Sequence, residues 1–309
     1  MSLALVGFTG FVGSNIAACH GFDGLYNSQN IKKAYGTCPD LLIYAGVPAA
    51  KFLANKDPDG DMAVCQNAFE NIKKIAPKKL VLISTVDVYR NPNGADENTP
   101  ADAQNPSAYG RNRAALEKLV RAEYKDTLII RLPALFGTGL KKNFIYDFLH
   151  PAPSMLTQQK YEEISAKSPL ISQCYAAAQN GFYKLENDSA ELVKYFSQSD
   201  FNSLCFTDSR AEYQLYDVSC LWRDISVALA ANLTLLNITA EPLCAAAIYD
   251  ALTYGGKFEN ILQKAPAKYD MKSKYAPLYG GENGYIYSAD ETLEALKAFV
   301  NAARREDVQ

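Results

Sequence analysis

Short apolar runs alternate with longer amphipathic segments over the first half of the chain. The apolar runs occupy residues 3–6, 25–27, 40–46, 79–84 and 127–132. Two segments between them, 61–75 and 111–124, have the length and the polar-apolar mixture of helices that connect neighbouring strands. Continuous apolar runs are typical of parallel strands covered on both faces. The pattern therefore predicts an α/β protein with a doubly wound parallel sheet of the Rossmann type.

The rhythm changes in the second half, where prolines and mixed polar segments replace the regular alternation. We expect a dinucleotide-binding domain over residues 1–140 and a smaller, mixed substrate-binding region over residues 141–309. Within the second region, residues 212–218 predict a strand that packs back on the first domain. Residues 220–231 and 291–304 predict helices, the latter with a clear apolar stripe.

Composition narrows the classes of partner and site. The 309 residues are 48% hydrophobic and carry 31 Lys and Arg against 34 Asp and Glu, a net charge of −3. We expect no nucleic-acid or membrane partner, because no positive field would gather either. His20 and His150 lack neighbouring ligands at metal spacing, and the seven cysteines contain no CxxC pair. We therefore expect no metal site and reduced, mostly buried thiols. The apolar amino terminus is too short to span a bilayer and lacks signal-peptide features, which predicts a cytoplasmic protein.

A glycine turn follows the first apolar run directly. It consists of Gly7, Phe8, Thr9, Gly10, Phe11, Val12 and Gly13. Backbone amides at the start of a helix can hold a pyrophosphate, and glycine lets the backbone approach it closely. Glycines also serve ordinary turns, so the position between a predicted strand and a predicted helix carries the interpretation. The turn predicts a binding site for NAD or NADP.

The residues that would contact the adenosine ribose leave the choice of cofactor open. The carboxylate expected at the end of the second strand is missing, and Asn27 and Ser28 stand there instead. Either these two bond a ribose hydroxyl, or Lys32 and Lys33 approach a 2′-phosphate and favour NADP. Alternatively, Lys32 and Lys33 are a solvent-exposed surface pair without a ligand.

Candidate chemistry gathers at the end of the fourth apolar run, where Ser84 and Thr85 stand. Ligands of such sheets bind at the carboxyl ends of the strands. Tyr109 lies at the head of a predicted helix, and Arg113 follows on the same face. A phenol is a poor acid-base group near neutral pH unless a cation stabilises its phenolate, and Arg113 can supply that cation. We therefore predict a catalytic group of Thr85, Tyr109 and Arg113.

At these residues the sequence resembles the extended short-chain dehydrogenase/reductase family, the NAD(P)-dependent epimerases, dehydratases and reductases of nucleotide-linked sugars. The likeness covers most of the chain. It rests on five segments in the family's order: the glycine turn, Tyr44-Ala45-Gly46, Ser84-Thr85-Val86-Asp87-Val88-Tyr89, the Tyr109 helix, and Arg131-Leu132-Pro133-Ala134-Leu135-Phe136-Gly137.

The resemblance implies roles for individual residues. It makes Tyr109 the acid-base tyrosine, Thr85 the hydroxyl that bonds the reacting oxygen, and Arg113 a group that contacts the cofactor ribose. The further cofactor contacts that it implies are Ala45, Gly46, Ser84 and Pro133, and the substrate contacts are Asp87, Asn143 and Arg210. It also implies a homodimer through two long helices that flank the sheet, one of them the Tyr109 helix.

Three departures from the family pattern bear on the chemistry. The family carries lysine where Arg113 stands, and arginine keeps the charge but does not readily lose a proton. Dehydratases carry an Asp-Glu pair where Val86 and Asp87 stand, which argues against 4,6-dehydration. The span between Gly13 and the third strand is too short for two βα units, so the adenine pocket is expected to be reduced.

The sequence thus predicts an NAD(P)-dependent oxidoreductase or epimerase that acts on a nucleotide-linked sugar by hydride transfer. The alternative is a catalytically silent nucleotide-binding member of the same fold, a sensor or scaffold. Arg113 in place of lysine and the missing ribose carboxylate motivate that alternative.

Overall fold

The computed structural model describes residues 1–178 and 181–306. The chain divides into two compact units. The first contains Met1–Gly139, Glu212–Leu243 and Ala267–Leu296, and the second contains the described residues of Leu140–Ala211, Cys244–Pro266 and the chain from Lys297 onward. The units thus differ from a single boundary at residue 140, because the chain returns twice to the first unit. One of these returns supplies the last strand of its main sheet.

The strands are short. They are β1 (Leu3–Val6), β2 (Gly24–Tyr26), β3 (Leu41–Tyr44), β4 (Leu80–Thr85), β5 (Leu128–Leu132), β6 (Ala134–Phe136), β7 (Met155–Thr157), β8 (Tyr175–Ala177), β9 (Phe182–Leu185), β10 (Glu212–Tyr213), β11 (Leu215–Asp217), β12 (Leu235–Asn237) and β13 (Leu243–Cys244).

The helices are α1 (Phe11–Cys19), α2 (Lys51–Lys56), α3 (Pro58–Ile75), α4 (Ala108–Glu123), α5 (Phe144–Leu149), α6 (Gln158–Ser165), α7 (Pro169–Cys174), α8 (Ala190–Ser197), α9 (Leu221–Ala230), α10 (Ala245–Thr253) and α11 (Ala289–Glu306). Two of them, α3 and α11, are 18 residues long. Among the described residues, no helix combines the length and the apolarity needed to cross a bilayer.

A six-stranded sheet forms the centre of the first unit, in the order β12-β5-β4-β3-β1-β2. Every neighbouring pair in it runs parallel. The predicted α/β fold with a parallel, doubly wound sheet is therefore confirmed. The chain moves from β1 outward to β2 and then crosses to β3 on the other side of β1, so the order reverses at this point.

Both faces of this sheet are covered, which explains the unbroken apolar runs. Leu5 and Ile43 face one apolar layer, which the side chains of α9 complete. Leu42 and Leu82 face the other layer, together with residues of α3 and α4. Alternate residues of each strand thus enter opposite layers, and most of the strand positions on both faces are apolar.

The span between Gly13 and β3 is as short as the sequence indicates. After β2 the chain makes a single 3₁₀ turn, Ile31–Ala34, and then enters β3. In the described sheet β2 is the edge strand on that side. The adenine side of the predicted cofactor site is therefore built from a turn instead of a complete βα unit.

The predicted strand over residues 212–218 is divided into β10 and β11. Gln214 stands at the break, and its buried amide nitrogen donates to the carbonyl oxygens of Ala240 (2.7 Å) and Met271 (2.8 Å). β11 pairs parallel with β6, within the first unit.

The prediction of mostly buried thiols is wrong in part, since Cys19 and Cys38 are exposed.

The second unit has its own three-stranded antiparallel sheet, in the order β7-β9-β8. A separate apolar core that includes Ile171, Leu192 and Phe196 lies among its helices and strands.

Candidate active site

The glycine turn lies where the order of the sheet reverses. Gly7 follows β1 directly and has a φ of +94°, a conformation that favours glycine. A Cβ atom there would lie 2.5 Å from the carbonyl oxygen of Ala45, so the turn packs closely on the end of β3. In doubly wound sheets the crevice at such a reversal binds ligands. The predicted positions of Gly7, Ala45 and Gly46 thus come together at this crevice.

The amino terminus of α1 is left open for an anion. Gly10 is its N-cap, no side chain caps the helix, and its first turn holds no acidic residue. Thr9 and Gly10 are exposed, while Phe11 and Val12 are half-buried. At Gly13 a Cβ atom would overlap the carbonyl oxygen of Gly7. These residues fit a diphosphate, because the first amides of a helix point outward and carry its positive dipole end.

The turn after β2 uses part of the predicted ribose contacts. The amide oxygen of Asn27 accepts from the backbone nitrogen of Gln29 at 2.9 Å, and its backbone nitrogen donates to the side chain of Asn30 at 2.7 Å. Asn27 therefore shapes the turn, while Ser28 is exposed beside it. Lys32 and Lys33 are exposed on the following 3₁₀ turn.

Thr85 and Tyr109 come together beside the end of the sheet. Thr85 is the last residue of β4, and Tyr109 lies in the first turn of α4. The Thr85 hydroxyl lies close enough to the Tyr109 phenol to favour its ionised form and lower its pKa. Thr85 Oγ1 also accepts from the backbone nitrogen of Asp87 at 3.2 Å, which fixes its position. A buried phenol held against a fixed hydroxyl is an arrangement suited to proton transfer.

Arg113 lies over the Tyr109 ring, with its guanidinium carbon 4.1 Å from the ring centre. Its guanidinium forms a buried ion pair with Asp61 of α3 and donates to the carbonyl oxygen of Pro48 at 2.6 Å. The side chains of Arg113 and Asp61 are 5% and 11% exposed. Arg113 thus contacts Tyr109 as predicted. Its charge is offset by Asp61, and both Asp61 and the Pro48 carbonyl oxygen already accept hydrogen bonds from its guanidinium.

The ionisation of Tyr109 reflects several neighbours. Burial raises the pKa of the phenol above its ordinary value, and the Asp87 carboxylate adds to that rise. Arg113, the nearby Thr85 hydroxyl and the charge of Lys51 lower the pKa without cancelling that rise. Tyr109 is therefore held in its protonated form.

Lys51 is a member of the site that the sequence reasoning missed. It is the first residue of α2, and its Nζ lies 2.6 Å from Asp87 Oδ1 and 3.5 Å from the hydroxyl of Tyr269. Burial is the largest single influence and opposes the charge on Lys51, but the Asp87 carboxylate and the Tyr269 hydroxyl together outweigh it, so the pKa of the amine is raised. Lys51 and Asp87 are far apart along the chain and no spacing links them, so folding alone brings them together.

Ser84 faces a buried polar network. Its hydroxyl lies 2.5 Å from Glu117 Oε1. Glu117 also pairs with Arg131, whose Nη1 donates to the Tyr89 hydroxyl at 2.6 Å. Glu117 and Arg131 are each 3% exposed. The Ser84 side chain is thus taken up by this network, since strand alternation places Ser84 and Thr85 on opposite faces of β4, and the cofactor contact of Ser84 stays a prediction.

The remaining predicted residues have local roles. Pro133 joins β5 to β6 and is half-buried. In the second unit, Asn143 caps α5, because its side-chain oxygen accepts from the backbone nitrogens of Ile145 (3.0 Å) and Tyr146 (3.1 Å). The guanidinium of Arg210 bonds Asp208 twice, at 2.9 and 2.7 Å. Both substrate contacts thus have side chains engaged with protein partners.

A family profile described as RmlD substrate binding domain matches residues 5–160, about half of the chain. No curated protein matches the sequence.

Solved structures of similar fold cover nearly the whole chain. A dTDP-4-dehydrorhamnose reductase from Clostridium acetobutylicum is 14% identical, with a TM-score of 0.62, over 98% of this chain and 100% of that one. The Bacillus anthracis reductase of the same name, in complex with NADP, is 14% identical with a TM-score of 0.62, over 97% and 99%. The enzyme WbmG from Bordetella bronchiseptica, in complex with NAD and UDP, is 13% identical with a TM-score of 0.61, over 97% and 94%.

Proposed function

Since the chain belongs to the RmlD substrate binding domain family, within the extended short-chain dehydrogenases/reductases, we propose that it is an NAD(P)-dependent oxidoreductase. Its substrate is a nucleotide-linked sugar that carries a carbonyl group, and reduction is the direction that we favour over epimerisation. The observation that carries this proposal is the buried Tyr109 phenol, which lies beside the Thr85 hydroxyl at the carboxyl end of β4 and under the guanidinium of Arg113.

The glycine turn supports the cofactor part of the proposal. The first turn of α1 would hold the diphosphate of NAD or NADP, and Gly7 and Gly13 keep the backbone free of side chains there. The nucleotide supplies a hydride to the substrate carbon when bound. The neighbours that carry NADP, or NAD and UDP, support this assignment.

The protonation of Tyr109 supports reduction. A carbonyl carbon that gains a hydride leaves negative charge on its oxygen, and that oxygen must then receive a proton. Tyr109 donates the proton from its hydroxyl, while Thr85 donates a hydrogen bond to the same oxygen and orients it. Because burial raises the pKa of Tyr109, the proton is present at neutral pH.

Two experiments test the proposal. Nucleotide released from the freshly purified protein is identified by mass spectrometry. Oxidation of NADH or NADPH is then followed with a panel of dTDP- and UDP-linked keto sugars. Tyr109→Phe is expected to lower kcat by roughly 100-fold or more, because general acid catalysis contributes about that factor, while cofactor affinity changes little.

Other outcomes point elsewhere. Retained nucleotide together with interconversion of sugar epimers, without net oxidation of cofactor, would favour an epimerase. A protein that binds dinucleotide but turns over none of the panel, with or without Tyr109, would support the silent sensor or scaffold. The cytoplasmic location, the homodimer through the Tyr109 helix, and the substrate contacts of Asp87, Asn143 and Arg210 stay predictions.

A further inference from the structure

A charge pair lies on two elements that contact α4, the helix of Tyr109. Lys51 begins α2, and Asp87 belongs to the 3₁₀ turn Val86–Val88 that follows β4. Their charged atoms are 2.6 Å apart. The carbonyl oxygen of Asp87 packs against Gly110, the neighbour of Tyr109, where a Cβ atom would lie only 1.9 Å from it. The Lys51–Asp87 pair therefore lies close to the first turn of α4, which carries the phenol.

Arg113 is poorly placed to be the adjustable cation of this site. Asp61 and the Pro48 carbonyl oxygen hold its guanidinium, and arginine does not release a proton under ordinary conditions. Lys51 is less confined by the protein than Arg113, and a lysine can release its proton. Its side chain is 44% exposed, and its single partner among the acids is Asp87, as far as the described contacts go.

We propose that Lys51 is a positioning residue for Tyr109, whose ammonium group neutralises Asp87 and so keeps an uncompensated carboxylate away from the phenol. The proposal rests on the proposed function, because it assigns Tyr109 the role of proton donor.

The charged and titratable groups around Tyr109 come from several elements. They are Arg113 on α4 itself, Asp61 on α3, Asp87 on the turn after β4, Lys51 on α2, and Tyr269 beyond Lys51. The Arg113–Asp61 pair is buried, with side chains 5% and 11% exposed. The Lys51–Asp87 pair is more exposed, so solvent screens it in part, and removing one of its members changes the field at the phenol by a moderate amount.

The test reads the ionisation of Tyr109 without requiring turnover. Tyr109 is replaced by a fluorotyrosine. Its fluorine gives one NMR signal and lowers the pKa of the phenol into a pH range where the protein stays folded. Lys51→Met is expected to raise the titration midpoint by about one pH unit, the order of size of a unit charge acting through an effective dielectric constant of about 20 and discounted for exposure. Asp87→Asn is expected to lower it, and the double variant to return near the starting value.

Two matched control variants test whether the shift of the midpoint depends on the charge at position 51. Lys51→Arg keeps the charge and is expected to leave the midpoint nearly unchanged. Lys56→Met removes an exposed lysine from the same helix and is expected to do the same. A midpoint that moves no more in Lys51→Met than in Lys56→Met would overturn the inference. If Lys51→Met does not fold, an Asp87→Asn midpoint that fails to fall overturns it equally.

The outcome stays separate from that of the proposed function. Loss of the proposed function would appear as unchanged turnover in Tyr109→Phe, or as an absence of dinucleotide binding. The fluorine titration reports the electrostatic link between Lys51 and Tyr109 in either case.

Discussion

Removing Arg113 should destabilise the first unit by an amount that the structure allows us to work out. In Arg113→Met the carboxylate of Asp61 stays behind with its cation removed. Breaking a buried ion pair by removing one partner costs about 3–5 kcal/mol. Asp61 is 11% exposed and keeps a hydrogen bond from Asn112 at 2.8 Å, so we expect the lower end of that range, about 3 kcal/mol.

Two companion variants separate charge from packing. Arg113→Lys keeps a cation for Asp61 but loses the bond to the Pro48 carbonyl and the stacking on Tyr109, so it should cost about 1–2 kcal/mol. The double variant Arg113→Met with Asp61→Leu removes both charges. It should lie within about 1 kcal/mol of the wild type, since apolar replacement of a whole buried pair is often neutral.

Urea unfolding measures these free energies. Trp222 is the only tryptophan and belongs to the first unit, so its fluorescence reports the unfolding of that unit. A loss of less than about 1 kcal/mol in Arg113→Met, or a double variant no more stable than the single one, would refute the reasoning from a balanced buried pair. Equal slopes of free energy against urea in all variants are required for the comparison.

The glycine turn and the phenol lead to two further predictions. Gly13→Ala should weaken dinucleotide binding at least about tenfold, or about 1.4 kcal/mol, because its Cβ would overlap the Gly7 carbonyl oxygen. Gly10→Ala should be milder, since its Cβ would lie 3.3 Å from the same atom, and equal losses in a calorimetric titration would contradict this view. The rate of carbonyl reduction should stay constant as the pH rises to 10.0, the ordinary pKa of a tyrosine, and should fall only at higher pH. Reduction uses the protonated form of Tyr109, and burial raises the pKa of that phenol. A rate that falls with an apparent pKa well below that value would count against Tyr109 as the donor.

Five of the six strands of the main sheet and the glycine turn could be predicted from the sequence, whereas β12 could not. The apolar runs became β1, β3, β4 and β5 within a residue or two, because strands covered on both faces are mostly apolar. The glycine turn followed from local rules as well, since a left-handed φ and a close backbone approach demand glycine at Gly7.

Which side chains meet depends on the packing between elements, and the sequence pattern does not show it. Neighbouring residues of a strand point to opposite faces, so Ser84 joined Glu117 in the buried network while Thr85 reached Tyr109. Asp61 took the guanidinium of Arg113, and Lys51 met Asp87, across distances in sequence that no local pattern spans. Periodicity records which face of an element is buried, but the partner of a charged side chain depends on how separate elements pack. The family pattern therefore predicts where the chemistry lies, and packing sets the electrostatics around Tyr109.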